Sequence, residues 1–390
     1  MRILCWGTYD TGKPRTRILR NGLRLAGVEV TAVHASIWEG IEDKSQVSSR
    51  LHRALLLARW ITAYPALVWR FFRQPRPDFV LIGFPGVLDV FVLAPFAWLR
   101  GVPIVWDMFM SLYDTVVMDR QLLRPASLLA RMLYRIEKLA IRCVHLALLD
   151  TETHARHVEV LFALPANHCA AVWVGVETEH FASAESTYTL VPPRPGTVLR
   201  VLFYGQFIPL HGIETIIEAA RLTVDDAIEW TLIGRGQQAP EIRRLLEQAP
   251  LAKLRWLDWV DYHNLRDSIA TADLCLGIFG ASGKAASVIP NKVFQVLTAG
   301  RPLVTRDSAA IRELLQPAPP CVYLVPAADA EALAAAVREH AQRAAAGELR
   351  ATQGHCHRSI VSRITAPAIG AQFVSVVTQR LKLTRSGHAD

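Results

Sequence analysis

Apolar runs of strand length alternate with segments of helix length along most of this 390-residue chain, and the alternation occurs twice. In the first half the apolar runs are residues 1–6, 28–35, 77–84, 102–109, 143–150 and 169–176. In the second half they are residues 198–205, 228–234, 254–260, 272–280 and 301–305. Alternating β and α units predict parallel sheets that are covered by helices on both faces. The chain is long enough for two such domains.

A segment of different composition and pattern separates the two halves of the sequence. Residues 183–197, SAESTYTLVPPRPGT, contain three prolines and no helical period, which is typical of a linker. We therefore expect an α/β protein with two doubly wound, Rossmann-like domains facing a central cleft. The expected order is an N-terminal domain at 1–182, the linker at 183–197, a C-terminal domain at 198–365, and a C-terminal helix or tail at 366–390. In such sheets, ligands bind beyond the carboxyl ends of the strands.

Composition limits the classes of protein to which the chain could belong. A hydrophobic fraction of 51% with 20% charged residues predicts large cores and excludes a disordered chain. No run of about 18 apolar residues is present, so no membrane-spanning helix is expected. The first residues lack the pattern of a secretory signal. The six cysteines are scattered without metal-binding spacing, which predicts buried thiols in a reducing cytoplasm and no metal site.

The net charge of +8 is unevenly distributed. Residues 44–77 contain seven bases and no acid, with tryptophan, phenylalanine and leucine between the bases. Arginine interleaved with tryptophan is typical of an interfacial helix, so residues 50–76 predict docking on an anionic membrane surface. A helix that packs on a sheet and exposes solvated arginines explains the pattern equally well. No nucleic-acid recognition motif accompanies the charge, and no nucleic acid is expected as a partner.

The first strand is followed by a near match to the phosphate-binding P-loop. Gly7, Gly12 and Lys13 fit that pattern, but Pro14 stands where a magnesium-binding serine or threonine is required. A nucleotide hydrolase is therefore not expected. The glycines instead predict a loop that approaches a diphosphate in the cleft, made basic by Lys13 and Arg15. An ordinary turn with exposed bases is the alternative.

Three loops of the second half are candidates for ligand binding. In YGQFIPLHG a strand ends at Gly205 and a helix begins near Gly212, which is a suitable site for an anion. The next strand ends in a flexible basic turn formed by Gly234, Arg235 and Gly236. In VIPNKVFQ a predicted helix begins at Asn291 and Lys292, with Gln295 one turn further along. Neither half has the G-x-G-x-x-G pattern of a dinucleotide dehydrogenase after its first strand.

In order, these motifs resemble the retaining GT-B glycosyltransferases of family 4. The sequence has G-x-F-x-x-x-x-G-I, then G-x-G, then P-N-K-x-F, and then A-G-x-P-x-V-T. In the first half, GTYDTGKPRTRIL, DMFMSLYDT, LLDTETHARH and VGVETEHF are similar to segments of one branch of that family. The resemblance spans roughly residues 1–315. It implies metal-independent transfer of a sugar, with retention of configuration, from a nucleotide diphosphate sugar to a glycan or lipid-linked acceptor. No other cofactor is implied.

The resemblance also implies roles for individual residues. The catalytic candidates are Asp107, His211 and Lys292. The donor-binding candidates are Gly205, Gln206, Gly212, Gly234, Arg235, Gly236, Trp259, Val260, Lys284, Asn291 and Gln295. Asp107 follows an apolar strand near the place where the family often has a polar group beside the sugar. Capping of the next segment is the alternative for this residue.

The chain departs from the family pattern at four positions. The family commonly has Arg and Lys at the positions of Gln206 and His211, and glutamates at those of Ser287 and Gln295. A glutamine amide accepts a ribose hydroxyl without charge, and His211 supplies charge only when protonated, which predicts a link between activity and pH. Lys284 and Lys292 could compensate.

Two functions follow from these patterns. The leading expectation is a cytoplasmic, hexosyltransferase-like enzyme of cell-envelope or exopolysaccharide biosynthesis, peripheral on the inner membrane face. The absence of charge at Gln206, Ser287 and Gln295 favours the alternative, a catalytically silent GT-B protein that serves as a binding or scaffold subunit.

Overall fold

The computed structural model describes residues 1–37, 50–181, 198–348 and 357–382, and its contacts divide the chain into two units. Unit 1 contains Met1–Thr115, Leu123–Gly175 and the residues from Ala366 onward, and unit 2 contains Val116–Leu122 and Val176–Thr365. The predicted linker at 183–197 lies outside the described residues. So do the side chains of residues 50–57 and residues 383–390 of the predicted tail.

Unit 1 is built on a sheet of six parallel strands in the order β2-β1-β3-β4-β5-β6. The strands are β1 (Arg2–Gly7), β2 (Glu29–His34), β3 (Phe79–Ile82), β4 (Ile104–Phe109), β5 (Leu146–Leu149) and β6 (Cys169–Ala171). The helices between them are α1 (Pro14–Leu25), α2 (Arg50–Arg73), α3 (Val87–Leu99), α4 (Leu128–Arg142) and α5 (Glu152–Phe162). A short π-helical segment, Asp114–Asp119, precedes α4.

Unit 2 repeats this plan with a second sheet of six parallel strands, in the order β12-β11-β10-β7-β8-β9. The strands are β7 (Leu199–Tyr204), β8 (Ile228–Ile233), β9 (Leu254–Leu257), β10 (Leu274–Leu276), β11 (Leu303–Arg306) and β12 (Val322–Val325). The helices are α6 (Thr178–Phe181), α7 (Ile213–Leu222), α8 (Ala239–Gln248), α9 (Tyr262–Thr271), α10 (Gly283–Ser287), α11 (Asn291–Thr298), α12 (Ala309–Leu315), α13 (Ala330–Ala345) and α14 (Arg358–Ile364).

Side chains of the unit 1 strands point alternately into two cores. Leu4 and Trp6 of β1 lie in the core beneath α2, α3, α4 and α5, while Ile3 and Cys5 lie in the core on the other face. A strand buried on both faces in this way reads as a continuous apolar run rather than as an alternating one. This packing explains why the apolar runs of the sequence identify the strands.

The second core of unit 1 is closed by the last helix of the chain, α15 (Ala366–Arg380), which packs along α1. Gly22 of α1 meets Gly370 of α15 at this contact. A Cβ atom at Gly22 would lie 2.2 Å from the carbonyl oxygen of Ala366, and one at Gly370 would lie 2.2 Å from that of Gly22. The two helix backbones touch here because neither residue has a side chain.

The structure confirms the predicted α/β class with two doubly wound parallel sheets. The first helix begins at Pro14, because proline suits the first turn of a helix. Within the described part of the chain, no helix is both long enough and apolar enough to cross a bilayer.

Candidate functional site

The loop that follows β7 brings two of the predicted catalytic residues together. Gly205 has a φ of 142°, a conformation that side chains rarely adopt. A Cβ atom there would lie 3.0 Å from Nζ of Lys292 and 3.1 Å from Cε1 of His211. The glycine therefore lets the lysine and the imidazole pack directly on the backbone at the end of the strand.

Lys292 is buried without a hydrogen-bond partner. It is the second residue of α11 and only 5% exposed, and its Nζ bonds to no atom of the described residues. Nζ lies 3.7 Å from the centroid of the Phe203 ring, within cation–π distance. Burial lowers the pKa of Lys292 well below its ordinary value. A buried ammonium without a counter-ion is costly, so an anion would stabilise this arrangement.

His211 is kept neutral by the same surroundings. It ends the turn Pro209–His211, and its Nδ1 donates to the carbonyl oxygen of Gln206, which assigns the ring proton to Nδ1. Burial lowers the pKa of His211 well below its ordinary value, and the charges of Lys292 and Arg120 lower it further. The expectation that a protonated His211 supplies charge therefore does not hold near neutral pH.

The predicted helix start at Gly212 is present, and its surroundings are tightly packed. Gly212 is the N-cap of α7, with a φ of 65°, and it packs against the backbone of Gly280. The side chain of Gln206, just upstream, accepts a hydrogen bond at 3.2 Å from Nη2 of Arg120. The glycine-bounded loop from 205 to 212 therefore carries one neutral imidazole and contacts two cationic side chains.

The turn after β8 carries an exposed basic and aromatic pair. The guanidinium of Arg235 lies 5.2 Å from the ring centroid of Trp259, which is 60% exposed. Gly234 and Gly236 flank Arg235, and the backbone N–H of Phe207 donates to the Arg235 carbonyl at 3.0 Å. This bond joins the turn to the loop after β7. Val260, the other residue predicted to border the base, is half-buried.

The remaining predicted donor residues lie on α10 and α11. Lys284 is buried, and its carbonyl accepts a hydrogen bond from Ser287 Oγ at 3.0 Å. Asn291 is exposed at the start of α11, which begins after Pro290 as the sequence predicted. The Oε1 atom of Gln295 accepts from the Tyr204 hydroxyl at 3.0 Å, so this amide is held at the end of β7.

In unit 1 the loop after β1 is shaped by a buried carboxylate. Asp89 of α3 accepts hydrogen bonds from the backbone N–H of Thr8 at 2.9 Å, from Thr8 Oγ1 at 3.0 Å and from the Tyr64 hydroxyl at 2.9 Å. Burial raises the pKa of Asp89 to about 6. Gly7 leaves room for this carboxylate, because a Cβ there would lie 2.5 Å from Asp89 Oδ2. Further along, the N–H of Gly12 donates to Asp10 at 2.9 Å.

Arg15 does not make this loop basic, although the sequence suggested it would. The side chain is 4% exposed and donates to Asp107 from Nε at 2.8 Å and from Nη2 at 2.6 Å. Its Nη1 donates to the carbonyl of Val172 at 2.8 Å. The pair ties α1 to the ends of β4 and β6. Lys13 is the residue immediately before α1. The catalytic role of Asp107 stays a prediction. In the structure its carboxylate forms a buried ion pair with Arg15.

Two residues at these loops were missed by the sequence analysis. Asp89 had a local signal, because it is the single acid in the apolar run GVLDVFV. Arg120 had none, because it lies 86 positions before its hydrogen-bond partner Gln206. Only the packing of residues 116–122 within unit 2 brings Arg120 to the loop after β7.

The described residues show no grouping of three or more His, Cys, Asp or Glu side chains that could hold a metal ion. The absence of a metal requirement stays a prediction. A cavity of about 520 Å³ on unit 2 is lined by side chains of β7, β8, β9 and α9, and none of the predicted donor residues lines it.

Comparison with known families gives a match within the second unit. Residues 199–343 match the family model described as glycosyl transferases group 1. A curated relative, named as a colanic acid biosynthesis glycosyl transferase, WcaI, of Escherichia coli K12, is 24% identical over 141 residues. That match covers 36% of this chain and 34% of the relative's length.

Solved structures resemble the whole chain. Anabaena HepE in complex with UDP has a TM-score of 0.64 at 11% identity, covering 97% of this chain and 99% of that one. Sucrose-phosphate synthase from Thermosynechococcus elongatus has a TM-score of 0.66 at 16% identity, covering 98% and 99%. The chain thus has the two-domain GT-B fold, and its second unit contains a domain that matches the glycosyl transferases group 1 family.

Proposed function

We propose that the chain is a glycosyltransferase that moves a sugar, with retention of configuration and without a metal, from a nucleotide diphosphate sugar to a glycan or lipid-linked acceptor. The observation that carries this proposal is the buried Lys292 ammonium, which has no hydrogen-bond partner in the described part of the chain. It lies against Gly205 in the domain that matches the glycosyl transferases group 1 family.

The proposed chemistry requires positive charge where the donor diphosphate leaves. The bond between the sugar C1 and the diphosphate oxygen breaks, and its electron pair departs on that oxygen. A new bond forms from the acceptor oxygen to C1 on the same face of the sugar, and the proton of the acceptor hydroxyl passes to the departing diphosphate oxygen. Negative charge therefore increases on the diphosphate, and Lys292 stabilises that charge in the transition state. His211 stays neutral with its ring proton on Nδ1, so Nε2 can accept a hydrogen bond from a hydroxyl of the donor but donates none to the departing diphosphate.

The other donor residues shape the site in this proposal. Gly205, Gly212, Gly234 and Gly236 form its backbone, and Asn291 starts the helix whose amino end faces the diphosphate. Arg235 and Trp259 form a cation–π pair that would border the base together with Val260, while Gln206, Lys284 and Gln295 supply polar contacts. Because the similar Anabaena HepE structure is a complex with UDP, UDP-sugars are the first donors to test.

The proposed donor binding is tested with a thermal-shift screen of nucleotide diphosphate sugars, followed by assays for donor hydrolysis and transfer. A donor at 100 times its dissociation constant should stabilise the protein by about 2.7 kcal/mol. Binding with turnover supports the enzyme. Binding without turnover, and without recovery in Gln295→Glu, supports the silent scaffold instead. If no nucleotide sugar of the panel binds, the proposal is wrong.

The proposed setting is cell-envelope or exopolysaccharide biosynthesis on the cytoplasmic face of the membrane, in keeping with the name of the Escherichia coli relative. Unit 1 has a surface suited to anionic lipid. Large apolar side chains of α2 and α3 are exposed there, namely Ile61, Trp69, Phe72, Trp98 and Leu99. They are accompanied by Arg59, Arg70, Arg73 and Arg76 of the predicted window at 50–76.

Helix α4 continues this surface because it packs beside α3. Its exposed apolar residues are Leu128, Leu129, Met132, Ile136 and Leu139, and its exposed bases are Arg131, Arg135 and Arg142. Every acid of unit 1 between Phe79 and Asp150 is buried, namely Asp89, Asp107, Asp114, Glu137 and Asp150. The described side chains of α2, α3 and α4 are apolar and cationic at the surface with no exposed acid, which favours an anionic bilayer over a second copy of the same surface, since that would place like charges together.

Membrane docking is tested by co-sedimentation with vesicles of phosphatidylcholine with and without phosphatidylglycerol. We expect Trp69→Asp/Trp98→Asp to lower the affinity for anionic vesicles by about tenfold or more, because two exposed apolar anchors are lost. The matched control, Leu222→Asp/Val224→Asp, changes residues of unit 2 that are 40% and 45% exposed and should bind normally. Equal binding to neutral and anionic vesicles would contradict the proposed role of the arginines.

A further inference from the structure

We propose that Arg120 binds the donor diphosphate and supplies the positive charge that the loop after β7 lacks at Gln206. The inference rests on the proposed function, since it names a further group that holds the same donor. It assigns a ligand contact to a segment, residues 116–122, that is distant in sequence from every predicted donor motif.

Two hydrogen bonds fasten this segment to unit 2. The carbonyl oxygen of Arg120 accepts from Gln237 Nε2 at 2.9 Å. Asp119 Oδ1 accepts from Ser282 Oγ at 2.7 Å. Gln237 follows the basic turn after β8, and Ser282 is the N-cap of α10, so the segment is anchored between two loops of the predicted donor site.

The guanidinium of Arg120 forms few hydrogen bonds with the described part of the protein. Among the described residues it makes one long hydrogen bond, from Nη2 to the neutral Gln206 Oε1 at 3.2 Å. Its Nε is buried and has no hydrogen-bond partner in the described part of the chain. A guanidinium carries five N–H donors in a planar fork that matches a phosphate group. The unused donors therefore indicate a ligand of that geometry.

The charges around the loop point to a dianion. Arg120 and Lys292 both act on the neighbouring His211, whose pKa they lower together with burial. Two cations thus lie close to one loop, and Lys292 Nζ likewise has no hydrogen-bond partner among the described residues. Like charges in partly desolvated positions repel each other, and an anion with about two negative charges would offset both. A diphosphate diester has that charge.

A purely structural role for Arg120 would be to hold the Gln206 side chain. The two roles predict different results when the positive charge is moved from position 120 to position 206. If the charge itself is needed, an arginine at Gln206 should replace Arg120, because the two side chains touch and both reach the same loop. If Arg120 only positions Gln206, changing both residues should restore nothing.

The test measures the affinity of the full chain for UDP and for inorganic pyrophosphate by titration calorimetry. We expect Arg120→Gln to weaken both by about 10- to 100-fold, the effect of losing a charge-assisted hydrogen bond. The double variant Arg120→Gln/Gln206→Arg should recover most of the loss. Arg124→Gln, at an exposed arginine four residues away, is the matched control and should bind normally.

Each outcome bears on a different statement. Wild-type affinity in Arg120→Gln, or no recovery in the double variant, overturns the role of Arg120 and leaves the proposed function standing. Wild-type protein that binds pyrophosphate, with the expected variant effects, but binds no UDP or UDP-sugar supports the anion contact and contradicts the proposed donor. Wild-type protein that binds neither probe overturns both statements. Thermal melting of each variant separates these results from a failure to fold.

Discussion

Lys292→Met is expected to lower kcat for sugar transfer by about 10²- to 10³-fold, the usual effect of removing one group that stabilises charge in a transition state. The methionine side chain is unbranched and apolar, so it should fill the space beside Phe203 without the cost of a buried ammonium. The folded protein should therefore be as stable as the wild type or more so. The measurement is transfer or donor hydrolysis under saturating donor, with thermal melting of the same samples.

The pH dependence of donor binding provides a second readout for the same lysine. The pKa of Lys292 is lowered in the empty site, so rising pH removes the proton that a diphosphate needs there. Donor affinity should therefore fall as the pH rises through a range below that in which a lysine ordinarily titrates, and donor binding should take up a proton, visible by calorimetry in buffers of different ionisation enthalpy. Lys292→Arg should remove this dependence because arginine stays charged.

Two controls make the lysine prediction specific. Lys138→Met changes a lysine of α4 in unit 1 and should keep normal turnover. His211→Asn should keep the pH dependence, because the pKa of His211 is well below its ordinary value and its ring is therefore neutral near neutral pH and above. Normal turnover in Lys292→Met, with or without normal pH dependence, would contradict the proposed mechanism.

Gly22→Val is expected to lower the free energy of unfolding of unit 1 by about 2–4 kcal/mol, because a side chain there forces two helix backbones apart. The added Cβ would meet the carbonyl oxygen of Ala366 at 2.2 Å, and a backbone atom cannot turn aside as a flexible side chain can. Hydrogen exchange resolved by peptide should show faster exchange in α1 and α15, while peptides of unit 2 exchange at the wild-type rate.

Gly283→Val is the matched control for this substitution. An added Cβ at Gly283 meets no atom within 4 Å, and its φ is not in the positive region. It should therefore cost little stability. Wild-type exchange of α1 and α15 in Gly22→Val would mean that the contact between these helices is looser than the structure describes.

The sequence predicted the sheets well because buried parallel strands have a strong local signal. The apolar runs at 77–84 and 102–109 contain β3 and β4, and the segment of helix length between them contains α3. The helix starting at Asn291 was also predicted, from a proline and an asparagine followed by a helical period. Such signals depend on neighbours within one or two turns of chain.

The contacts that could not be predicted join residues far apart in the chain. Arg15 pairs with Asp107 across 92 positions, and Arg120 meets Gln206 across 86. No period or spacing connects such residues, and a local pattern gives an arginine the same appearance whether it is exposed or paired. The charge state of His211 was likewise unpredictable, because burial and two cations from other segments determine its pKa.

The return of α15 to unit 1 has a consequence for how the protein is made. A ribosome releases the residues of the first sheet long before it releases Ala366–Arg380, which close the core over β1, β3 and α1. The second sheet is encoded in one uninterrupted stretch, from β7 to β12, and can reach its final packing while synthesis continues. The core that contains Ile3 and Leu81 therefore stays incomplete until Phe373 has been synthesised, after the whole of the second sheet.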